Sequence, residues 1–233
     1  MSVVWGRIDG REISFPMEVE AFNAATVLWS VPSDEAAALL PGDAFEVVEV
    51  APGSAQLVLA ACDYVKNPWG DYNEINLGLL ARPAGAGPEV VGSFVYRMPV
   101  DQPFTCEAGN RVMGFPKAVE VIDVAYSDAE VTFRLETGGV TAFTLGLPRA
   151  ESASGAPPRI DAESYSYLDG VPHATVLSID MGTGVVDPAD VRLDLGEGPV
   201  AEELRRLGLP ARPDAATWGE GLSATFQLGR PLS

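Results

Sequence analysis

Lysine is the scarce basic residue of this chain, and the position of one lysine suggests chemistry. Thirteen arginines but only two lysines, Lys66 and Lys117, are present in 233 residues. Arginine stays protonated and cannot act as a nucleophile, whereas a neutral lysine amine attacks a ketone or aldehyde and forms a Schiff base. Lys117 stands in the apolar segment 114–119 (GFPKAV), and burial in such surroundings penalises the ammonium form. A surface lysine whose ammonium reaches water is the alternative interpretation.

A carboxylate that could assist such an amine is Glu74, in the predicted strand 72–82. Period-two alternation places Glu74 on the polar face of this strand, with Tyr72, Asn76 and Gly78. If this face lines the interior of a barrel, Glu74 borders a ligand cavity, where it could act as a general acid or base. If the face lies outside, Glu74 is a solvated carboxylate, and the sequence by itself favours this second interpretation.

The same alternation predicts that Lys117 is buried. In a strand that begins near residue 116, Lys117 shares a face with Val119 and Val121. The opposite face carries Ala118, Glu120 and Ile122. Because the face of Lys117 is the more apolar of the two, the pattern favours a dry amine.

Strand-like segments dominate the chain and predict a mainly β (α+β) fold in a single domain over residues 1–233. They lie at 12–19, 25–31, 44–51, 55–64, 72–82, 89–97, 118–126, 130–136, 139–147, 173–180, 190–195 and 221–228. Three helices are predicted from their terminal residues, at 33–40, 101–112 and 199–207. The segment 150–162, rich in Ala, Ser, Gly and Pro, is predicted to be a loop, either a lid or a simple connection.

Composition narrows the classes of partner. A net charge of −18 argues against nucleic acid and anionic membrane surfaces, which attract cationic patches. No apolar run approaches the ~18 residues that span a bilayer, and no cleavable signal is recognised. Cys62 and Cys106 lack metal-ligand spacing, and His173 is the single histidine. We therefore expect no metal, no cofactor and a reduced, cytoplasmic setting.

Three segments resemble the acetoacetate decarboxylase-like superfamily. Residues 71–74 (DYNE) resemble its strand with a Tyr-x-Glu active-site acid. Residues 96–101 (YRMPVD) resemble its Met-containing strand that leads into a helix. Residues 108–117 (AGNRVMGFPK) resemble its segment of Gly-Arg-Glu followed by aromatic-Pro-Lys, in which the lysine forms the Schiff base.

This resemblance implies an antiparallel, cone-like β-barrel with a few peripheral helices and an enclosed cavity, and it implies a homo-oligomer. It assigns Schiff-base formation to Lys117 and general acid or base catalysis to Glu74. The implied substrate-binding residues are Phe115 and Met98 in a dry pocket, and Tyr72. Since the N-terminal arginine of the decarboxylases has no counterpart here, Arg97 or Arg111 is expected to bind the substrate carboxylate instead.

The chain departs from the decarboxylases at three positions. Ala118 follows the reactive lysine where they have a second lysine, Phe22 stands near the place of an N-terminal arginine, and Leu59 near that of a second acid. The implied function is a Schiff-base-forming lyase that acts on a small keto acid, by decarboxylation or by aldol condensation and dehydration. The alternative is a non-catalytic barrel of the same fold that holds an apolar metabolite.

Overall fold

The computed structural model describes residues 2–151 and 154–232, and most of these residues lie in β-strands. The strands are β1 (Val3–Ile8), β2 (Arg11–Phe15), β3 (Met17–Pro32), β4 (Phe45–Val47), β5 (Glu49–Ala51), β6 (Ser54–Lys66), β7 (Tyr72–Pro83), β8 (Gly92–Val100), β9 (Lys117–Val119), β10 (Val121–Tyr126), β11 (Glu130–Thr137), β12 (Val140–Pro148), β13 (Arg159–Leu168), β14 (Val171–Asp180), β15 (Gly184–Val186), β16 (Arg192–Leu195), β17 (Ala215–Phe226) and β18 (Arg230–Pro231). The helices are α1 (Ser33–Ala37), α2 (Pro103–Ala108), which continues into a π-helical turn (Gly109–Met113), and α3 (Gly198–Arg206).

Seven of these strands close into a barrel. Their order is β17-β3-β6-β7-β8-β13-β14, and β14 pairs back to β17. Six of the seven pairings are antiparallel, and the pairing of β8 with β13 is parallel. The predicted fold class, a mainly β barrel with a few peripheral helices, is confirmed.

The two faces of the barrel wall pack into two different cores. Outward-facing side chains of β3, β6 and β7 pack against α3 and a second sheet of order β10-β11-β12-β16. The large side chains of this core include Trp29, Leu57 and Ile75 from the barrel, and Phe133 and Phe143 from the second sheet. Inward-facing side chains form the other core, which includes Phe22, Tyr64, Tyr72, Met98 and Phe115. Because both faces of β7 are covered, Glu74 is only 3% exposed, and the interpretation of Glu74 as a solvated carboxylate is wrong.

Strand β13 was not expected, because its sequence (RIDAESYSYL) lacks the alternation of apolar residues that marks a half-buried strand. It begins at Arg159, inside the predicted loop 150–162, of which residues 152–153 lie outside the described residues. The strand forms because β8 and β14 supply hydrogen-bonding partners on its two sides.

Helix α2 begins two residues after the expected N-cap, Asp101. The side chain of Gln102 caps the helix instead, since it accepts the Thr105 amide hydrogen at 2.9 Å. The carboxylate of Asp101 accepts hydrogen bonds from the backbone and side-chain nitrogens of Asn73, at 2.8 and 2.7 Å. Asp101 thus links the end of β8 to the start of β7, next to Glu74.

The seam between β14 and β17 closes the barrel through three paired positions, Leu177 with Phe226, Ser178 with Thr225 and Ile179 with Ala224. Asp180 reinforces this seam, because its carboxylate accepts from the backbone and hydroxyl of Ser223, at 2.9 and 2.7 Å, and from Arg159 at 3.0 Å. Burial by itself would raise the pKa of Asp180, but the Ser223 and Arg159 hydrogen bonds hold this pKa below its ordinary value.

Asp180→Asn is expected to lower the free energy of unfolding by about 1 kcal/mol at neutral pH. Because the folded state depresses the pKa, the contribution of Asp180 is present above its ordinary pKa of 3.8 and is lost as the pH falls through the folded value. Urea unfolding of both proteins at neutral pH and at about pH 3 measures this. A difference in unfolding free energy that is the same at both pH values would contradict a charge-based role.

Candidate active site

The backbone of Lys117 is held at two points. Residue 117 pairs in parallel with Met98 of β8, and the side chain of Asn110 accepts the Lys117 amide hydrogen at 2.8 Å and donates to the Lys117 carbonyl at 3.0 Å. Gly114 ends the π-helical turn with a φ of 67°, and a Cβ there would lie 2.4 Å from the Tyr167 carbonyl oxygen. The π-helical turn and Gly114 therefore direct the chain so that Lys117 enters the barrel.

The side chain of Lys117 runs across Gly109 into the interior. It is 4% exposed, and a Cβ on Gly109 would lie 2.6 Å from both its Cδ and its Cε. Val119 and Val121, predicted to share its buried face, are 50% and 51% exposed. The burial of Lys117 was thus predicted correctly but for the wrong reason, since the lysine is covered by the π-helical turn and not by Val119 and Val121.

Lys117 and Glu74 form a buried ion pair. The Lys117 Nζ donates to Glu74 Oε2 at 2.5 Å, and the Glu74 side chain is 5% exposed. The other carboxylate oxygen, Oε1, accepts from Asn76 Nδ2 at 3.2 Å and from the Tyr64 hydroxyl at 3.4 Å. Both oxygens of Glu74 are therefore fixed, and one faces the amine that would have to gain or lose a proton.

The thiol and the two phenol groups beside the pair are neutral at physiological pH. Burial, followed by the charge of Glu74, raises the pKa of the Cys62 thiol, which lies directly across from Glu74 on β6. The same two causes raise the pKa values of Tyr64 and Tyr72 well above the ordinary value. The two rings stack with centroids 4.4 Å apart, and Lys117 Nζ lies 5.3 Å from the Tyr72 centroid.

A cavity of about 170 Å³ opens beside the pair. Phe115, Met98 and Tyr72, predicted to bind substrate, line it together with Glu74 and Lys117. The remaining lining residues are mostly apolar: Met17, Val58, Ala60, Cys62, Tyr64, Trp69, Asn76, Gly78, Ser93, Val95, Met113, Ser164, Leu177, Ile179 and Phe226. Five of the seven predicted site residues are thus brought together.

The two arginines predicted to bind a substrate carboxylate do not line this cavity. A β-bulge in β8 shifts its register against β7 between Arg97 and Val95, so Arg97 leaves the inward face and pairs with Glu203 of α3 at 2.9 Å. Arg111 lies on the outer side of the π-helical turn, 52% exposed, and pairs with Glu107 at 2.7 Å. The structure therefore does not place either arginine where it could bind a substrate held in this cavity.

The three departures from the decarboxylase pattern also have places in the structure. Ala118 is exposed, and Phe22 is buried with its ring 5.6 Å from that of Tyr64. Leu59 faces the outer core, and the inward positions of β6 are Val58, Ala60, Cys62 and Tyr64. The residue of β6 that pairs with Glu74 is Cys62, so the partner across the strands is a thiol.

Sequence reasoning missed the residues that support the pair. Gly109 and Asn110 position Lys117, and Asn76 and Tyr64 hold Glu74. Asn76 had a usable signal, since it shares the inward face of β7 with Glu74. Gly109 had no usable signal, because nothing in the sequence shows that a glycine packs against a lysine eight residues further along the chain.

No group of three or more His, Cys, Asp or Glu side chains in residues 2–151 and 154–232 is arranged to bind a metal ion. Within those same residues no helix combines the length and the apolar character that crossing a membrane requires. Lys117 and Glu74 are also the only Lys, Arg, Asp or Glu residues among those described as lining the cavity.

The family model described as acetoacetate decarboxylase (ADC) matches residues 9–229 of the chain. The chain belongs to the acetoacetate decarboxylase family. A search of curated proteins finds no match.

Solved structures of the acetoacetate decarboxylase family share the fold. The acetoacetate decarboxylase of Legionella pneumophila is 16% identical, with a TM-score of 0.68 over 94% of this chain and 87% of that one. The enduracididine biosynthesis enzyme MppR, solved in complex with pyruvate, is 17% identical, with a TM-score of 0.61 over 94% and 91%. An acetoacetate decarboxylase-like enzyme from Sphingomonas wittichii is 16% identical, with a TM-score of 0.58 over 95% and 94%.

Proposed function

We propose that this family member is a Schiff-base-forming lyase that acts through Lys117 on a small carbonyl substrate. Small keto acids are the substrate class that the family implies, and uncharged ketones and aldehydes can react through the same steps. One observation carries the proposal: an amine and a carboxylate lie 2.5 Å apart, both almost fully buried, beside a cavity with a mostly apolar lining. Buried charges of this kind are costly to a fold, and their grouping in a cavity is typical of catalytic sites.

The proposed reaction begins with a proton transfer. The Lys117 Nζ gives a proton to Glu74 Oε2, and the neutral amine attacks the carbonyl carbon to form a carbinolamine. The protonated Glu74 returns that proton to the carbinolamine hydroxyl, which leaves as water, so that a protonated imine faces the Glu74 carboxylate. During the attack, Glu74 donates its proton to the carbonyl oxygen and takes one back from the nitrogen, so that it is protonated again before the hydroxyl leaves.

The protonated imine then accepts electrons from a bond to the neighbouring carbon. Loss of carbon dioxide, loss of a carbonyl fragment or loss of a proton each leaves an enamine, and protonation of that enamine followed by addition of water releases the product and the amine. Decarboxylation and aldol–dehydration chemistry both pass through this enamine. The solved relatives include a decarboxylase and MppR bound to a condensation product of pyruvate and an aldehyde.

Borohydride reduction tests the proposal, because it converts an imine into a stable secondary amine. With a panel of ketones, aldehydes and keto acids, we expect the added mass on the Lys117 peptide. Lys66 is an internal control, since it is the other lysine of the chain and is 67% exposed in a pair with Glu20. Lys117→Met is expected to abolish the added mass at this site.

A Lys117 peptide left unmodified by every compound, with Lys66 reacting as a free amine, would refute the proposal. Ligand-induced stabilisation that survives Lys117→Met without any trapped lysine would indicate the binding barrel instead.

Three further properties stay predictions: oligomeric assembly, a cytoplasmic location and a single domain over residues 1–233. Light scattering tests the first, cell fractionation the second and limited proteolysis the third.

A further inference from the structure

We infer that the natural substrate is an uncharged ketone or aldehyde with an apolar substituent, and not a keto acid held by its carboxylate. This inference rests on the proposed function, since it concerns the compound that reacts with Lys117. It follows from the charge, the hydrogen-bonding groups and the volume of the cavity.

The cavity contains no cation for a substrate carboxylate. Among the described lining residues only Glu74 and Lys117 are charged, and they neutralise each other. Once Lys117 becomes a protonated imine, its single positive charge already faces Glu74. A substrate carboxylate would add a second negative charge inside a buried site, where like charges repel strongly because water is excluded.

The arginines nearest in sequence to the site residues cannot supply that charge. Arg97 is on the outer side of the barrel with Glu203, and Arg111 is on the surface with Glu107. Either arginine would have to break an ion pair and cross the barrel wall to reach the cavity.

The polar groups beside the ion pair favour a donor over a carboxylate. Asn76 must turn its amide nitrogen towards Glu74, because a carboxylate accepts and does not donate. The other end of the amide, Oδ1, is consequently a buried acceptor, and no partner for it is found in the described residues. The hydroxyl of the carbinolamine is a donor that can satisfy this oxygen, whereas a substrate carboxylate, which can only accept, is repelled by it.

The rest of the cavity is suited to a hydrocarbon group. Its apolar lining includes the side chains of Met17, Val58, Val95, Leu177, Ile179 and Phe226. Its volume of about 170 Å³ is close to that of an engineered apolar cavity of roughly 150 Å³ that binds benzene. An apolar substituent up to the size of a phenyl ring is therefore expected.

The charge of the whole protein acts in the same direction. At −18, it repels anions and slows their approach at low ionic strength, while an uncharged compound is unaffected. An enzyme selected for an anionic substrate more commonly has a cationic rim around its cavity.

Trapping of matched ligand pairs tests the inference. Phenylacetone and phenylpyruvate differ by a methyl group in place of a carboxylate, and so do acetone and pyruvate. Each rate of reductive trapping at Lys117 is divided by the rate at Lys66 in the same sample, which removes the difference in intrinsic reactivity. We expect the uncharged member of each pair to be favoured by at least about tenfold.

A preference for the keto acids overturns the inference but leaves the proposed function intact. Failure of every compound to label Lys117 overturns both. Ionic strength provides an independent readout: added salt is expected to accelerate trapping of phenylpyruvate and to leave that of phenylacetone unchanged. Equal salt dependence of the two contradicts the charge argument.

A variant that supplies the missing cation completes the test. Phe226 is half-buried at the cavity, so an arginine there can keep part of its guanidinium in water. Phe226→Arg is expected to raise trapping of phenylpyruvate at least about tenfold above Phe226→Gln, which removes the same ring without adding charge. Equal trapping by the two variants, with both folded by circular dichroism, would count against the inference.

Discussion

Lys117→Met is expected to lower the free energy of unfolding by about 3–5 kcal/mol at neutral pH, because it leaves the Glu74 carboxylate buried without its cation. The double variant Lys117→Met/Glu74→Gln is expected to recover most of this loss. The amide that replaces the Glu74 carboxylate can still accept hydrogen bonds from Asn76 and Tyr64. Neither of the two substituted side chains carries a charge into the barrel. Recovery of stability in the double variant would show that two neutral side chains stabilise the fold about as well as the ion pair does. The ion pair would then be explained by its chemistry and not by its contribution to stability.

Chemical denaturation of the single and double variants measures this coupling. Lys66→Met is the matched control, because Lys66 is 67% exposed and its pair with Glu20 is of a type worth about 0–1 kcal/mol. If the double variant were less stable than the single one, the burial of two charges would not be the dominant cost.

The double variant also protects the trapping experiment. If Lys117→Met is too unstable to handle, Lys117→Met/Glu74→Gln removes the same amine from a stable barrel. Absence of label at residue 117 in that protein then reports on chemistry and not on unfolding.

The position of Glu74 could be predicted from alternation along β7, but its burial could not. The inward face of that strand carries Tyr72, Glu74, Asn76 and Gly78, as the period of two requires. What covers it is the rest of the barrel, made by strands distant in sequence. A polar face gives the same pattern of alternation whether it points into a barrel or out to solvent. Only the tertiary structure determines which of the two it does.

For Lys117 the burial was predicted, but the structural cause of the burial was not. Its strand, β9, has three residues, which is too short for alternation to determine which face is buried. Lys117 is buried because β9 pairs with β8 and because the π-helical turn covers its side chain. Val119 and Val121, the apolar residues that suggested burial, are about half exposed.

Arg97 illustrates a third limit. Strict alternation would place Arg97 on the same face as Val95, which lines the cavity. One bulge in β8 reverses this placement and sends Arg97 to Glu203. A bulge changes hydrogen bonding between strands and leaves little mark on the residues themselves.

Gly109→Ala is expected to reduce reductive trapping at Lys117 by about 100-fold while the protein stays folded. A Cβ at residue 109 would lie 2.6 Å from the Cδ and Cε of Lys117, and the flexible side chain of the lysine would yield before the backbone does. The amine would then move away from Glu74, and a displacement of about 1 Å is enough to cost this much in rate. Alanine also favours helical backbone over glycine by about 1 kcal/mol, which offsets the strain.

Gly6→Ala is the matched control, since a Cβ at residue 6 meets no atom within 4 Å and residue 6 is far from the site in sequence. Thermal unfolding of both variants is expected to stay close to that of the unmodified protein, and only Gly109→Ala is expected to lose trapping. Loss of trapping together with a large loss of stability would indicate a packing defect. Normal trapping by a folded Gly109→Ala protein would show that the path of Lys117 across Gly109 is not required for its reactivity.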